Sequence, residues 1–323
     1  MKAMILAAGH GSRLHPLTID RTKPAIPFLG RPLVGYVAEY LKGQGIDEVV
    51  VNLHHQPDSV RKALQRETDL GIKIEFIDET PEILGTGGAI VNARKLLGDQ
   101  PFVVINGKII TDINLMAAVR AHRESGAIAT MVLRHNESRE NFSEVIVRDD
   151  RVVGFGNFPH SFKNGSPPLM FTGIQILEPE VFRYLPESGA SEIIPSFYKP
   201  AIGQNRNIHA HVTEGRWFEL STLERYLEIS LAMMAGEKNS VGVNCNISRD
   251  ASVNNSILWN SVTVEAGARL NRVVVGDRVQ IPADSRYENS VIVRADLVRE
   301  TDIPEKATRG RFEDANYIVS LFQ

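Results

Sequence analysis

Two stretches of this chain carry residue types that handle phosphate. Residues 103–112 read VVINGKIITD: an apolar run of strand character breaks at Asn106–Gly107, and Lys108 follows. Ligands of α/β sheets gather at the carboxyl ends of strands, so this lysine is either a solvated loop residue or stands where chemistry happens. Residues 6–27 read LAAGHGSRLHPLTIDRTKPAIP. Gly9 and Gly11 have no side chains and let main-chain N–H groups cradle phosphate oxygens. Arg13 offers a fork of donors and Lys23 a point charge from the far end of the loop. Two other phosphate loops do not fit. A dinucleotide fingerprint needs glycine where Leu14 stands and an acidic residue where Leu53-His54-His55 end the second strand. A Walker loop needs Gly-Lys-Ser/Thr, which is absent.

The surrounding elements are those of an α/β sheet. AMILAA (3–8), EVVVNL (48–53), KIEFI (73–77) and FVVIN (102–106) are strand-length apolar runs. Between them, Leu33, Val37, Tyr40 and Leu41, then Val60, Ala63 and Leu64, then residues 86–97, recur at helical spacing. Such alternation predicts a mostly parallel sheet covered on both faces. AIATMVLR, EVIVRDDRVVGF and FTGIQIL are richer in strand signals and predict a mixed extension. A helix is expected over 222–234, and AGEKNS (235–240) reads as a domain boundary.

Beyond it the pattern changes to a repeat of 17 residues over 247–263, 264–280 and 281–297. Ile247, Val264 and Ile281 coincide, as do Val253, Leu270 and Tyr287, and Ile257, Val274 and Val291. Six-residue steps within a repeated register predict a parallel β-helix whose coils share one core. A small β-sandwich, the alternative, has no reason to keep the register three times.

Bulk properties exclude several classes. Lys plus Arg (36) against Asp plus Glu (39) gives a net charge of −3 without long charge runs, unlike a nucleic-acid or membrane surface. A single cysteine, Cys245, rules out an internal disulfide and fits a reducing compartment. The N-terminal apolar run is too short for a signal peptide, and no stretch has the length of a membrane span. A cytoplasmic protein is expected.

At Gly9, Gly11, Arg13, Leu14, Pro16, Leu17, Thr18 and Thr22-Lys23-Pro24 the chain resembles the sugar-1-phosphate nucleotidylyltransferases. Their hallmark is G-x-G-x-R-L-x-P-L-T…P-K-P. The resemblance continues through LGTGGA (84–89), NGK-x-x-TD (106–112), FTGIQILEPEVF (171–182) and RWFELSTLERYL (216–227) to the β-helix. It is greatest with mannose-1-phosphate guanylyltransferase-like members. It implies a Rossmann-like, GT-A-like mixed α/β sheet over residues 1–236, then a short left-handed parallel β-helix over 237–323 with a C-terminal tail. It also implies a reaction: a sugar 1-phosphate attacks the α-phosphorus of a nucleoside triphosphate in line, pyrophosphate leaves, and Mg²⁺ held by two aspartates neutralises charge. By resemblance, Leu6, Ala7, Ala8, Gly9, Gly11, Ser12, Gly85, Thr86, Gly87 and Asn106 hold the nucleotide. Ser143, Thr172 and Gly173 lie toward the sugar phosphate, and Arg13, Lys23 and Lys108 are the catalytic cations. GTP with mannose 1-phosphate is the expected pair, with UTP or dTTP next. Self-association through an exposed β-helix end is also expected.

Three positions depart from the family pattern. Its first metal aspartate is Lys108 here, its second is Glu219, and its Glu-Lys-Pro appears as Asn157-Phe158-Pro159. Two unit charges ~4 Å apart interact by about 4 kcal/mol at a surface-like dielectric. A lysine at that distance repels Mg²⁺ and attracts a triphosphate. Lys108 is therefore expected to occupy part of the metal's place, which puts the family's Mg²⁺ in question and leaves Glu219 as a weak ligand. The rival reading is a protein that binds nucleotide or nucleotide sugar without turnover, as a sensor or regulatory partner. An acyltransferase role for the β-helix fails because no histidine occurs after His211. The remaining polar residues have plainer readings. His10 and His15 are expected to face solvent, and Glu79 to approach a ribose or to face solvent. Asp112 is expected to cap the next helix, Trp217 to pack beside the site and Arg216 to lie on the surface.

Overall fold

The apolar runs of the N-terminal half become strands of one nine-stranded sheet. A computed structural model of the protein describes residues 1–66, 71–137, 142–157 and 167–322. The chain divides into two units. The first comprises Met1–Ala8, Val37–Pro57 and Glu67–Trp217, the second Gly9–Tyr36, Asp58–Arg66 and Phe218–Gln323.

In the first unit the sheet strands are β1 (Ala3–Leu6), β2 (Glu48–Leu53), β3 (Lys73–Asp78), β4 (Phe102–Asn106), β5 (Ala129–His135), β6 (Val145–Arg148), β7 (Arg151–Phe155), β8 (Leu169–Leu177) and β9 (Ile208–Val212). Their order is β3-β2-β1-β4-β8-β5-β9-β7-β6. The β3, β2, β1 and β4 strands are mutually parallel. The expected mixed extension starts at β8, antiparallel to both neighbours. It ends in the β7–β6 hairpin, turned by Asp149 and Asp150 at φ 48° and 57°, a left-handed pair that aspartate tolerates. Met4, Ala89, Ile90, Phe102, Val104, Met131 and Phe197 form the buried core.

From β1 the chain passes outward to β2 and β3, then returns to lay β4 on β1's other side. That reversal is a topological switch point, the place at the carboxyl ends of β1 and β4 where ligands of open α/β sheets bind. The register Leu6↔Asn106 brings those ends level.

In the second unit the repeat is a parallel β-helix. Ile247 pairs with Val264 and Val264 with Ile281. Val253 pairs with Leu270, and Leu270 with Tyr287. Ile257 pairs with Val274, and Val274 with Val291. These are the positions that coincide in the sequence, so the sandwich alternative is excluded. Leu258, Val264, Leu270, Val275, Ile281 and Ile292 fill the shared core. At one corner each coil caps the one before: Val243 N–H donates to Asn260 Oδ1 (3.0 Å) and Asn260 N–H to Asp277 Oδ1 (2.8 Å). The strand Asn316–Ser320 lies antiparallel on Ser290–Arg294 and covers the edge of the last coil. No helix of the described residues is long and apolar enough to cross a membrane.

Candidate functional site

In the first unit the switch point is built by short polar contacts. Gly107 N–H donates to the Leu6 carbonyl (2.9 Å), and a Cβ at Gly107 would stand 2.9 Å from that oxygen. Only glycine permits that approach, and it is what turns Lys108 off the end of β4. Asn106 lies against Gly173, where an added Cβ would meet its Nδ2 at 2.2 Å. Gly173 has φ 80° and sits in a bulge of β8 between Phe171 and Gln175, the kind of irregularity that re-aims a strand beside a site. Ser143, exposed, precedes the Glu144–Met170 bridge to the start of that strand. Thr172 is buried. Its hydroxyl donates to Val132 O (2.7 Å), and its carbonyl accepts from Trp217 Nε1 (2.8 Å). Trp217 is thus packing, as expected, with Arg134 5.9 Å from its ring centroid.

Behind β1 runs a chain of hydrogen bonds that sequence reasoning did not assemble. Ala7 N–H donates to Asn52 Oδ1 (2.8 Å), and Asn52 Nδ2 to Glu79 Oε1 (2.6 Å). Leu84 N–H donates to Glu79 Oε2 (2.8 Å). Glu79 is 1% exposed, so it is neither solvent-facing nor free for a ribose. Both carboxylate oxygens are used to hold Ala7 and the segment entering the helix Gly85–Asn92. The signal for this was a polar Asn52 closing an otherwise apolar strand.

The glycine turn at 85–88 has a local explanation too. A Cβ at Gly85, Gly87 or Gly88 would lie 2.7, 2.6 or 2.5 Å from atoms of Gly189 or Ser191. Gly87 and Gly88 N–H both donate to Ser191 O, at 2.8 and 3.2 Å. Thr86 Oγ1 donates to Glu192 Oε2 (2.7 Å) and accepts from Ile193 N–H (2.9 Å). These groups bind the 189–193 segment.

Asp112 does not cap the following helix. Asn114 does, accepting from Ala117 N–H at 3.0 Å. Asp112 instead accepts from Arg216 Nε (2.6 Å) and N–H (2.7 Å), and the Arg216 hydrogen bond holds its carboxyl below the usual carboxylate range.

In the second unit, Gly11 has φ 68°, and a Cβ there would meet Lys23 Cβ at 2.8 Å and Thr18 Cγ2 at 3.2 Å. The loop therefore closes Gly11 directly onto Lys23. A tight turn over Ser12–Leu14, with Leu14 N–H donating to Gly11 O (2.8 Å), buries Leu14 and leaves Arg13 exposed. Apart from its chain neighbours, no atom of the described residues lies within 4 Å of a Cβ built on Gly9. His10 is exposed, but His15 is buried, and neither ring nitrogen has a hydrogen-bond partner among the described residues. Burial pushes its pKa down, so it is neutral and part of the loop's packing.

The loop's far end is anchored on the coils. Arg21 pairs with Asp20 (2.8 Å) and Asp277 (2.6 Å) and lies 5.1 Å from the Trp259 ring centroid. Tyr226 donates its hydroxyl to Pro27 O and accepts from Trp259 Nε1 (3.0 Å). Lys23 is buried. Glu219 is 4% exposed and precedes the helix Leu223–Met233, which Thr222 caps by accepting from Arg225 N–H. Residues 158–159 lie outside the described residues, so the Asn157-Phe158-Pro159 departure has no structural counterpart here. Among the described residues no three His, Cys, Asp or Glu side chains form a metal-sized cluster.

Against known proteins, residues 2–236 match the family model for nucleotidyl transferases, and residues 233–310 match that for the GlmU-like C-terminal hexapeptide. The chain is 28% identical to mannose-1-phosphate guanylyltransferase 1 of Arabidopsis thaliana, covering 90% of this chain and 86% of that one. It is 32% identical to N-acetylmuramate alpha-1-phosphate uridylyltransferase of Neisseria meningitidis, covering 71% and 96%. In fold it is similar to a Bacillus anthracis protein assigned to the glucose-1-phosphate thymidylyltransferases and crystallised with sucrose. There the TM-score is 0.63 and the identity 21%, over 73% of this chain and 96% of that chain. A switch point, a glycine loop closed on a lysine and a match across 2–236 together make this chain a member of the nucleotidyl transferase family.

Proposed function

We propose that this protein joins a nucleoside triphosphate to a sugar 1-phosphate, releasing pyrophosphate, with GTP and mannose 1-phosphate as the favoured pair. The carrying observation is the loop of residues 9–23: Gly11 backed by Lys23, and an exposed Arg13 without an ion pair among the described residues. Mannose-1-phosphate guanylyltransferase 1 of Arabidopsis supports the pair, and the uridylyltransferase relative keeps UTP as the next base to test. We assign residues 1–236 to the transferase domain and 237–323 to the β-helix domain, and the cytoplasm as the compartment.

The attacking phosphate oxygen is already anionic, so no base has to remove a proton. Its bond to the α-phosphorus forms as the α–β bridging bond breaks, and pyrophosphate takes the electron pair. The protein's work is positioning and charge neutralisation. In this reading, Arg13 and Lys23 serve the triphosphate and Lys108 a phosphoryl oxygen. Main-chain groups of Leu6, Ala7, Ala8, Gly9, Ser12 and Asn106 border the nucleotide. Ser143 and Gly173 border the sugar phosphate.

The family resemblance implies Mg²⁺, and the donors at the two expected positions do not fit it. The Lys108 ammonium has no lone pair to offer and repels a cation, while Mg²⁺ demands near-octahedral oxygen donors at ~2.1 Å. Of those two positions, only Glu219 offers oxygen donors. The test is pyrophosphate release across four nucleotides and several sugar phosphates, with Mg²⁺ or EDTA, for the parent and Lys108→Asp. The parent is expected to keep its rate in EDTA, and the variant to become faster and strongly magnesium-dependent. A parent rate that collapses in EDTA removes the role of Lys108. Tight nucleotide binding without release for any pair refutes turnover and leaves the sensor.

A further inference from the structure

The β-helix carries a basic groove that the transfer reaction does not use. On one exposed face, Ser252, Arg269 and Arg286 stand in one ladder across three neighbouring parallel strands, and Asn254, Asn271 and Glu288 in the next. The inward residues between these ladders, Leu270 and Tyr287, are buried in the coil core. Adjacent strands are ~4.8 Å apart, so Arg269 and Arg286 are like charges on touching rungs. Both are exposed, and neither guanidinium has a carboxylate or carbonyl partner among the described residues. The groove lining also includes one carboxylate, Glu288, which accepts from Asn271 Nδ2 (2.9 Å), while Glu313 accepts from the Tyr287 hydroxyl (2.7 Å). Arg272, three residues from Arg269 on the same strand, is by contrast paired with Glu228. Two forks on touching rungs face a groove with a single carboxylate, leaving a positive excess that an anion between them would offset, and the fork geometry suits phosphate oxygens.

The groove lined by these ladders has a volume of about 240 Å³. That is below the ~300–1,000 Å³ of sites for drug-sized ligands, so it suits a small anion rather than a nucleotide. We propose that it binds a phosphate group between Arg269 and Arg286, distinct from the nucleotide loop. The group comes either from free inorganic phosphate or from a small phosphate ester.

The test is calorimetric titration of the full chain with inorganic phosphate and, separately, with mannose 1-phosphate. The proteins are the parent, Arg269→Gln, Arg286→Gln, Arg286→Lys and, as a control at the loop, Arg13→Gln. One class of sites should weaken at least tenfold in each glutamine variant and less in Arg286→Lys, which keeps charge but loses the fork. That class should survive in Arg13→Gln. Weakening for inorganic phosphate supports the free ion, and weakening for mannose 1-phosphate alone supports the ester. Nucleotidyl transfer should be unchanged in Arg269→Gln and Arg286→Gln, so failure here is separable from failure of the proposed reaction. Isotherms that superpose on the parent's in both glutamine variants overturn the site. So does a change in oligomeric mass in Arg286→Gln with phosphate binding intact, because the arginines then face a second copy.

Discussion

Adding one methyl group at Gly11 tests the loop most directly. Gly11 sits at φ 68°, where a residue with a Cβ pays roughly 1–2 kcal/mol. The methyl would also meet Lys23 Cβ at 2.8 Å and Thr18 Cγ2 at 3.2 Å, and overpacking of that kind costs about 1–3 kcal/mol. Reduced freedom of the unfolded chain returns about 0.4–1 kcal/mol. Gly11→Ala should therefore lose about 1–4.6 kcal/mol, a shift of roughly fivefold to two-thousandfold in the folding equilibrium at 1.4 kcal/mol per decade. Gly9→Ala is the matched control. Apart from its chain neighbours, no atom of the described residues lies within 4 Å of its added Cβ, and its backbone is outside the left-handed region, so stability should hold within about 0.5 kcal/mol. Nucleotide affinity should nonetheless fall if a phosphate approaches that main chain. Urea unfolding paired with nucleotide titration reads both quantities. A Gly11→Ala midpoint equal to the parent's refutes the packing argument. Unchanged affinity in Gly9→Ala refutes the cradle.

Further expectations follow from the polar contacts. Glu79→Ala strands the Leu84 N–H and the Asn52 amide, each a loss of about 1–3 kcal/mol, so the urea midpoint should drop by an amount worth about 2–5 kcal/mol. Asp277→Ala removes an acceptor from both Arg21 and the Asn260 N–H. It should lower stability by about 1–3 kcal/mol and raise KM for nucleotide by loosening the loop two residues before Lys23, while Asp277→Asn, which keeps an acceptor oxygen, should lose less. His15 is buried and its pKa is lowered from the ordinary value of 6.5 by burial. The unfolded chain therefore binds more protons just below pH 6.5, and the stability from neutral His15 is complete above that value and declines as pH falls through it. His15→Phe should flatten that decline in unfolding measured between pH 7.5 and 5; an unchanged slope would show that His15 does not set it.

Much of the fold was legible because its signals are local or periodic. Apolar runs gave β1, β2, β3 and β4, and a register surviving three 17-residue repeats gave the coil stacking pair by pair. The misreadings share a cause. His15, Glu79 and Asp112 are polar residues in loops, and nothing within a few residues of them says what closes over them. Glu79 meets Asn52, 27 residues away, and Asp112 meets Arg216, 104 residues away. Gly85, Gly87 and Gly88 are also approached by Gly189–Ser191, a contact remote in sequence that the local motif does not announce.

The order of residues was enough to determine the strand and coil periods, the glycine–arginine–lysine loop and the lysine in an aspartate's place, since each is a matter of residue type and spacing. Tertiary structure alone decided which of those groups are already committed to protein partners and which remain exposed. It consumed the Gly87 and Gly88 amides on Ser191, buried Glu79 behind Ala7, tied Arg21 to Asp277, and left Arg13, Arg269 and Arg286 outward. The reason is that a hydrogen bond or an ion pair is settled by which surfaces meet in space, and long-range strand order and loop closure choose those surfaces.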